Sequence, residues 1–143
     1  DQREVSVKTE THDLTETYLH LTPDERAPAI PAGEAFWNQL MTGRFVDPRV
    51  ERVAAGGWLV SRFTHRGDWP HWECHPEGDE VLTCLSGEVD FVLDHPDGRA
   101  ERVLLTEGRT LVVPTGVWHR GLGEGPAEIL AMTAGKGTQH RPA

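Results

Sequence analysis

Cysteine is scarce in this sequence: Cys74 and Cys84 are the only two. Two thiols cannot frame a small disulfide-stapled domain, and a pair of buried free thiols in a reducing cytoplasm is the plain expectation. Basic residues are also few. The chain carries 14 lysines and arginines against 23 aspartates and glutamates, a formal charge of −9. No basic stripe interrupts that balance, so the surface repels phosphate backbones and nucleic acid is not an expected partner. No apolar run approaches the roughly 18 residues of a membrane span, and no membrane partner is expected either. No charged-then-apolar leader opens the chain, which argues against secretion. Its first residue is Asp1 rather than Met, which leaves room for a segment upstream.

What is present suits one globular domain of short strands. The chain has 143 residues, 37% hydrophobic and 26% charged, with 15 glycines and 10 prolines scattered rather than clustered. That length allows a real core but not two full domains. Residues 1–44 read as an arm of the same domain. In it "EVSVKT" and "TYLHL" alternate as short edge strands, and "PDERAPAIP", with three prolines, reads as irregular. "AGEAFWNQLMTG" predicts one short helix with Phe36, Trp37, Leu40 and Met41 on one face and Gly43 as its stop. Residues 45–143 read as the body of the domain, and after the break at Asp47-Pro48 the pattern predicts β-structure throughout. Strand-sized segments cover residues 57–65, 70–75, 80–85, 88–94, 100–105, 109–114 and 127–133, divided by turn signals such as "HPEGD", "HPDG" and "PTG". Many short strands at close spacing predict a sandwich or barrel.

The stretch "ECHPEGDEVLTCLSG" (73–87) carries the chemistry. On one strand Glu73 and His75 point to the same face, because side chains alternate with a period of two. The turn holding Pro76 and Gly78 lets the next strand return Glu80 alongside them. A second turn, "PTGVWH", delivers His119 from a distant strand. Ligands offered from separate strands are how a rigid sheet preorganises a mononuclear site. Imidazole and carboxylate without thiolate suit Fe2+, Mn2+, Ni2+ or Zn2+, and argue against a closed structural zinc centre.

Both segments resemble the two motifs of the cupins. Gly67, five residues, Glu73, one residue, His75, four residues, Glu80, six residues and Gly87 follow the first motif. Gly108, five residues, Pro114, one residue, Gly116, two residues and His119 follow the second, with 20 residues between Gly87 and Gly108. The chain departs from the family pattern twice: Glu73 stands where the first histidine usually is, and Gly123 where the final asparagine would be. The resemblance implies a cupin-type double-stranded β-helix, an all-β jelly-roll barrel, with an N-terminal arm and one short helix. It implies one divalent metal ion on Glu73, His75, Glu80 and His119. With Glu73 turned away, the other three make the two-histidine, one-carboxylate face of non-haem iron enzymes.

The resemblance also implies a homodimer and a small metalloenzyme, dioxygenase-like or isomerase- or epimerase-like, acting on a small organic metabolite. A non-catalytic, metal-dependent binding or sensing module is the alternative. The pocket candidates come from strand parity. Trp69 shares the ligands' parity and is placed to wall the pocket's mouth; His71 shares it too and competes with Glu73 as a ligand. Arg62 either holds an anionic substrate group or sits on the barrel's outer face. His65 is a weaker pocket candidate, and Cys84 falls on the parity of Glu80. Trp72 and Trp118 point the other way, toward packing. Glu77 and Asp79 read as a solvated turn.

Overall fold

Alternating burial marks the strands. In Ala127–Thr133 every second residue is buried, and Glu88–Asp94 alternates in the same way, as a strand does when one face meets a core. The computed structural model describes residues 9–143. In chain order these form β1 (Thr17–Leu21), β2 (Ala29–Pro31), α1 (Glu34–Thr42), α2 (Pro48–Ala55), β3 (Trp58–His65) and β4 (His71–Cys74). There follow β5 (Glu80–Ser86), β6 (Glu88–Asp94), β7 (Ala100–Thr106), β8 (Thr110–Val113), β9 (Trp118–Leu122), β10 (Ala127–Thr133) and β11 (Gln139–Pro142). All the strands predicted within residues 17–133 form within two residues of their bounds. The one predicted over residues 4–9 lies, but for its last residue, outside the described residues.

Two antiparallel sheets face each other, in the orders β2-β1-β3-β10-β5-β8 and β11-β4-β9-β6-β7. Between them Leu82, Phe91, Leu93, Leu105 and Ile129 make the main core. This is the predicted all-β, jelly-roll architecture. Gly87, where the first motif ends, turns the chain from β5 into β6 with φ 76°, and a Cβ there would collide with the carbonyl of Pro126. Only glycine meets both demands.

Four expectations need correction. Residues 23–31 are not wholly irregular, because β2 pairs with β1, Tyr18 opposite Ile30. The described residues form two helices rather than one, and β-structure does not begin at Pro48. Asp47 accepts a hydrogen bond from the Arg49 amide at 2.9 Å and Pro48 opens α2, a capped helix start that reads in sequence as a break. Val50 and Val53, one turn apart, face inward. In α1, Gly43 does end the helix with φ 72°, but Met41 lies outside the packed face.

The two helices pack on Tyr18, Ile30 and Leu59 as a second core. Burying each of these large side chains stabilises by about 1.5–3 kcal/mol, enough to fasten an edge of two short strands that would be marginal alone. β1 pairs directly with β3, Leu19 opposite Val60, so the arm extends the chain's own sheet.

Candidate metal centre

Strand register brings the site together. In one sheet β4 lies between β11 and β9, so Glu73 has His140 opposite it on one side and His119 on the other. In the facing sheet Glu80 stands opposite Thr133 of β10. His75 follows the end of β4, its carbonyl held by the amide of Gly116 at 3.0 Å. Asp79 ties the turns of the two motifs together, accepting from the Thr115 amide at 2.8 Å and its hydroxyl at 2.7 Å. Those bonds hold the Asp79 carboxyl below its usual range. The turn expected to be merely solvated is therefore a brace.

One potential ligand atom from each of Glu73, His75, Glu80 and His119 lies within 4.8 Å of all the others. His119 Nε2 stands 2.9 Å from Glu80 Oε1, and His75 Nε2 stands 3.2 Å from Glu80 Oε2. Glu73 Oε2 is 3.8 Å from His119 Nε2 and 4.0 Å from His75 Nε2. Ligand atoms about 2.1 Å from a common ion sit about 3 Å apart at right angles and about 4 Å apart across it. All four distances lie in or near that range.

Hydrogen positions strengthen the fit. His119 Nδ1 lies 3.2 Å from the Val117 carbonyl, which can only accept, so Nδ1 carries the proton. The Thr138 hydroxyl donates to the Gly135 carbonyl at 3.1 Å and therefore accepts from His75 Nδ1 at 3.0 Å. Both neutral rings then present Nε2 lone pairs to a carboxylate. His75 Nε2 is buried and, lying off the line of a hydrogen bond to Glu80, has no partner among the described residues. Acceptors converging without a hydrogen between them call for a cation. A proton serves in the metal-free chain. Burial pushes Glu80 up, but His119 and His75 outweigh it and hold the carboxyl far below its ordinary range. Burial likewise pushes His119 down, and Glu80 overrides it, raising the imidazole above its ordinary value.

A cavity of about 270 Å³ reaches Glu73 and Glu80. Trp69 lines it, with its ring edge-on to His119 at 6.1 Å between centroids. His71 also lines it but stays out of the cluster, packing on the His140 ring at 4.6 Å. Arg62 borders the cavity, yet its guanidinium is exposed and donates to Glu128 at 3.0 Å, the outer-face outcome. Tyr18 of β1 and Trp37 of α1 line the same cavity, so the arm closes over the site.

Other candidates lie elsewhere. His65 is buried on the carbonyl of Gly123. Cys84 sits in the core, its thiol donating to the carbonyls of Ser86 and Gly87. Trp72 and Trp118 sandwich the guanidinium of Arg141 at 5.4 and 4.5 Å instead of entering the core. Sequence reasoning missed Thr133, Thr138 and His140. The first closes a strand, and the other two follow the segment the motifs span, where no pattern marked them.

No curated protein sequence matches the chain. Among solved structures, a cupin-2 domain protein from Shewanella frigidimarina is 20% identical over 60% of this chain and 71% of its own, with TM-score 0.43. Hydroquinone 1,2-dioxygenase from a Sphingomonas species, with 4-hydroxybenzoate bound, is 18% identical over 60% of both chains, with TM-score 0.48. Oxalate decarboxylase of Bacillus subtilis, with Mn(II) centres, is 19% identical over 59% of this chain and 23% of its own, with TM-score 0.50. At such identities the likeness concerns the fold alone. The family model described as "Cupin domain" matches residues 60–133, more than half of the chain, and spans β3 to β10 with all four clustered side chains, so the protein belongs to the cupin domain family.

Proposed function

We propose that the chain binds one divalent metal ion through Glu73, His75, Glu80 and His119 and acts as a small metalloenzyme on a neutral, ring-sized organic metabolite. The observation that carries this reading is the buried, unpartnered His75 Nε2 aimed at a carboxylate already shared with His119. Fe2+, Mn2+, Ni2+ and Zn2+ all suit such donors. When bound, the metal would supply a Lewis acid with positions open to substrate, water or dioxygen.

The protein's own residues supply the rest. Tyr18, Trp37, Phe63 and Trp69 give the cavity aromatic walls that select a flat apolar body and exclude water. With the Arg62 guanidinium turned to Glu128, no arginine among the described residues that line the cavity aims its fork inward to favour a strongly anionic substrate. Glu73 borders the cavity, so a substrate entering it would meet the metal beside that carboxylate. A dioxygenase-like or isomerase-like reaction fits this arrangement. The proposal includes cytoplasmic residence, suggested by two buried free thiols, and a homodimer. Exposed Val112 on β8 and Leu104 on β7 are the kind of edge a second copy covers.

Metal content of untagged protein tests the reading. Stoichiometric metal is expected in the parent and none in His75→Ala or His119→Ala; a parent that stays empty after reconstitution refutes it. Iron-loaded protein incubated with catechols, other phenols and keto acids then separates the branches. Oxygen uptake favours the dioxygenase branch, and rearrangement without uptake the isomerase branch. Binding without turnover leaves a metal-dependent binding module.

A further inference from the structure

The family match ends at residue 133, yet two of the four clustered side chains are held by residues beyond it. The Thr138 hydroxyl accepts from His75 Nδ1 at 3.0 Å. His140 Nε2 donates to Glu73 Oε1 at 3.1 Å, since a carboxylate can only accept. Thr138 and His140 are two residues apart, so they share one face of the chain entering β11. Arg141 takes the other face. It stacks between Trp72 and Trp118 and donates to Asp94 at 2.6 Å, pinning the strand to the outside of the barrel without touching any of the clustered side chains.

We propose that β11 and the turn before it form a clasp that completes the metal site. Thr138 and His140 are its positioning residues: the first fixes the His75 tautomer and ring plane, the second fixes the rotamer of Glu73. Clasp and ion are then coupled, and coupling is reciprocal. A docked strand tightens the metal, and a bound metal tightens the strand.

The inference rests on the metal reading above, and the experiment separates the two. The 143-residue protein is stripped with a chelator and titrated with Mn2+, Ni2+ and Zn2+, and affinity is read by competition against a chelating dye. Thr138→Val and His140→Leu are each expected to weaken binding about 10–100-fold, the usual effect of losing a partner behind a ligand. Thr138→Ser and His140→Gln keep the hydrogen bonds and should recover most of it, which general loss of packing would not allow. Arg141→Ala, which touches none of the four, should weaken binding several-fold by loosening the strand. Hydrogen exchange on the parent needs no variant: amides of residues 139–141 should exchange more slowly with metal bound. A parent that binds one ion, with Thr138→Val and His140→Leu binding equally well or with exchange of β11 unmoved by metal, overturns the clasp and leaves the metal site standing. A parent that binds no ion overturns both.

Discussion

Glu80 and His119 are held from inside the barrel, whereas Glu73 and His75 are held by β11 and the turn before it. Glu80 accepts from Thr133 at 2.6 Å and meets His119 at 2.9 Å, and both side chains are nearly sealed, at 5% and 0% exposure. Their buttresses, Thr133 and Val117, lie within the stretch the family model matches. Glu73, at 17% exposure, leans on His140, itself 30% exposed. His75 is as deeply buried as the barrel-held pair, but its outer nitrogen is served by the turn before β11. The difference teaches that half of the cluster is fixed by the core and half by an edge strand. Edge strands open more readily than cores, so the two halves should respond differently to the same perturbation.

Removing a carboxylate from each half should break the comparison most sharply. Glu80→Ala is expected to bring metal content below detection. It should also cost the metal-free protein about 3–5 kcal/mol, as loss of one member of a buried pair does. Glu73→Ala keeps the three-residue face and should weaken metal about 10–100-fold, with little change in metal-free stability. Metal analysis and denaturant melts check both, and equal losses from the two variants would erase the distinction between the halves.

A pH series should give the next largest effect. In the metal-free protein the lowered Glu80 stabilises the fold above its unfolded value of about 4.3, and that contribution is lost as pH falls through the folded value. The raised His119 stabilises below its unfolded value of about 6.5, and that contribution is lost as pH rises through the folded value. The barrel-held pair is thus strongest, without metal, between those two limits. Metal requires deprotonated imidazoles and gains as pH rises. The difference in Tm between metal-loaded and metal-free protein should therefore widen from pH 6 to pH 8 in calorimetry. A gap that narrows would count against His119 as a ligand.

The smallest effect is expected from Arg62→Ala. Its ion pair with Glu128 lies on the surface and belongs to neither half. Stability should change by less than about 1 kcal/mol, with metal affinity unmoved. A clear loss of metal in that variant would mean that the outer face of β3 communicates with the cluster.

The cluster's four members were legible in the sequence because parity and the spacing of two turns bring them together in any rolled sheet that respects those turns. Asp79 was read as a solvated charge because nothing local shows that the "PTG" turn, 36 residues later, meets it. Helix α2 was missed although its signals were present. Asp47-Pro48 serves equally well as a break or as a cap, and only the second core made the cap the better use. His71 shares the ligands' parity, but it packs against His140 at the cavity wall and does not reach the cluster.

The sequence by itself determined eight of the eleven described strands, most of their bounds, the glycine turns between motifs and the four converging side chains, because side-chain alternation and backbone sterics act over a few residues. Only the tertiary structure decided what stands behind those four. Thr133 meets Glu80 across 53 residues of chain, and Thr138 and His140 reach back across 63 and 67. Such pairings depend on which strands become neighbours, and that choice is made by the burial of the whole sheet rather than by any local pattern.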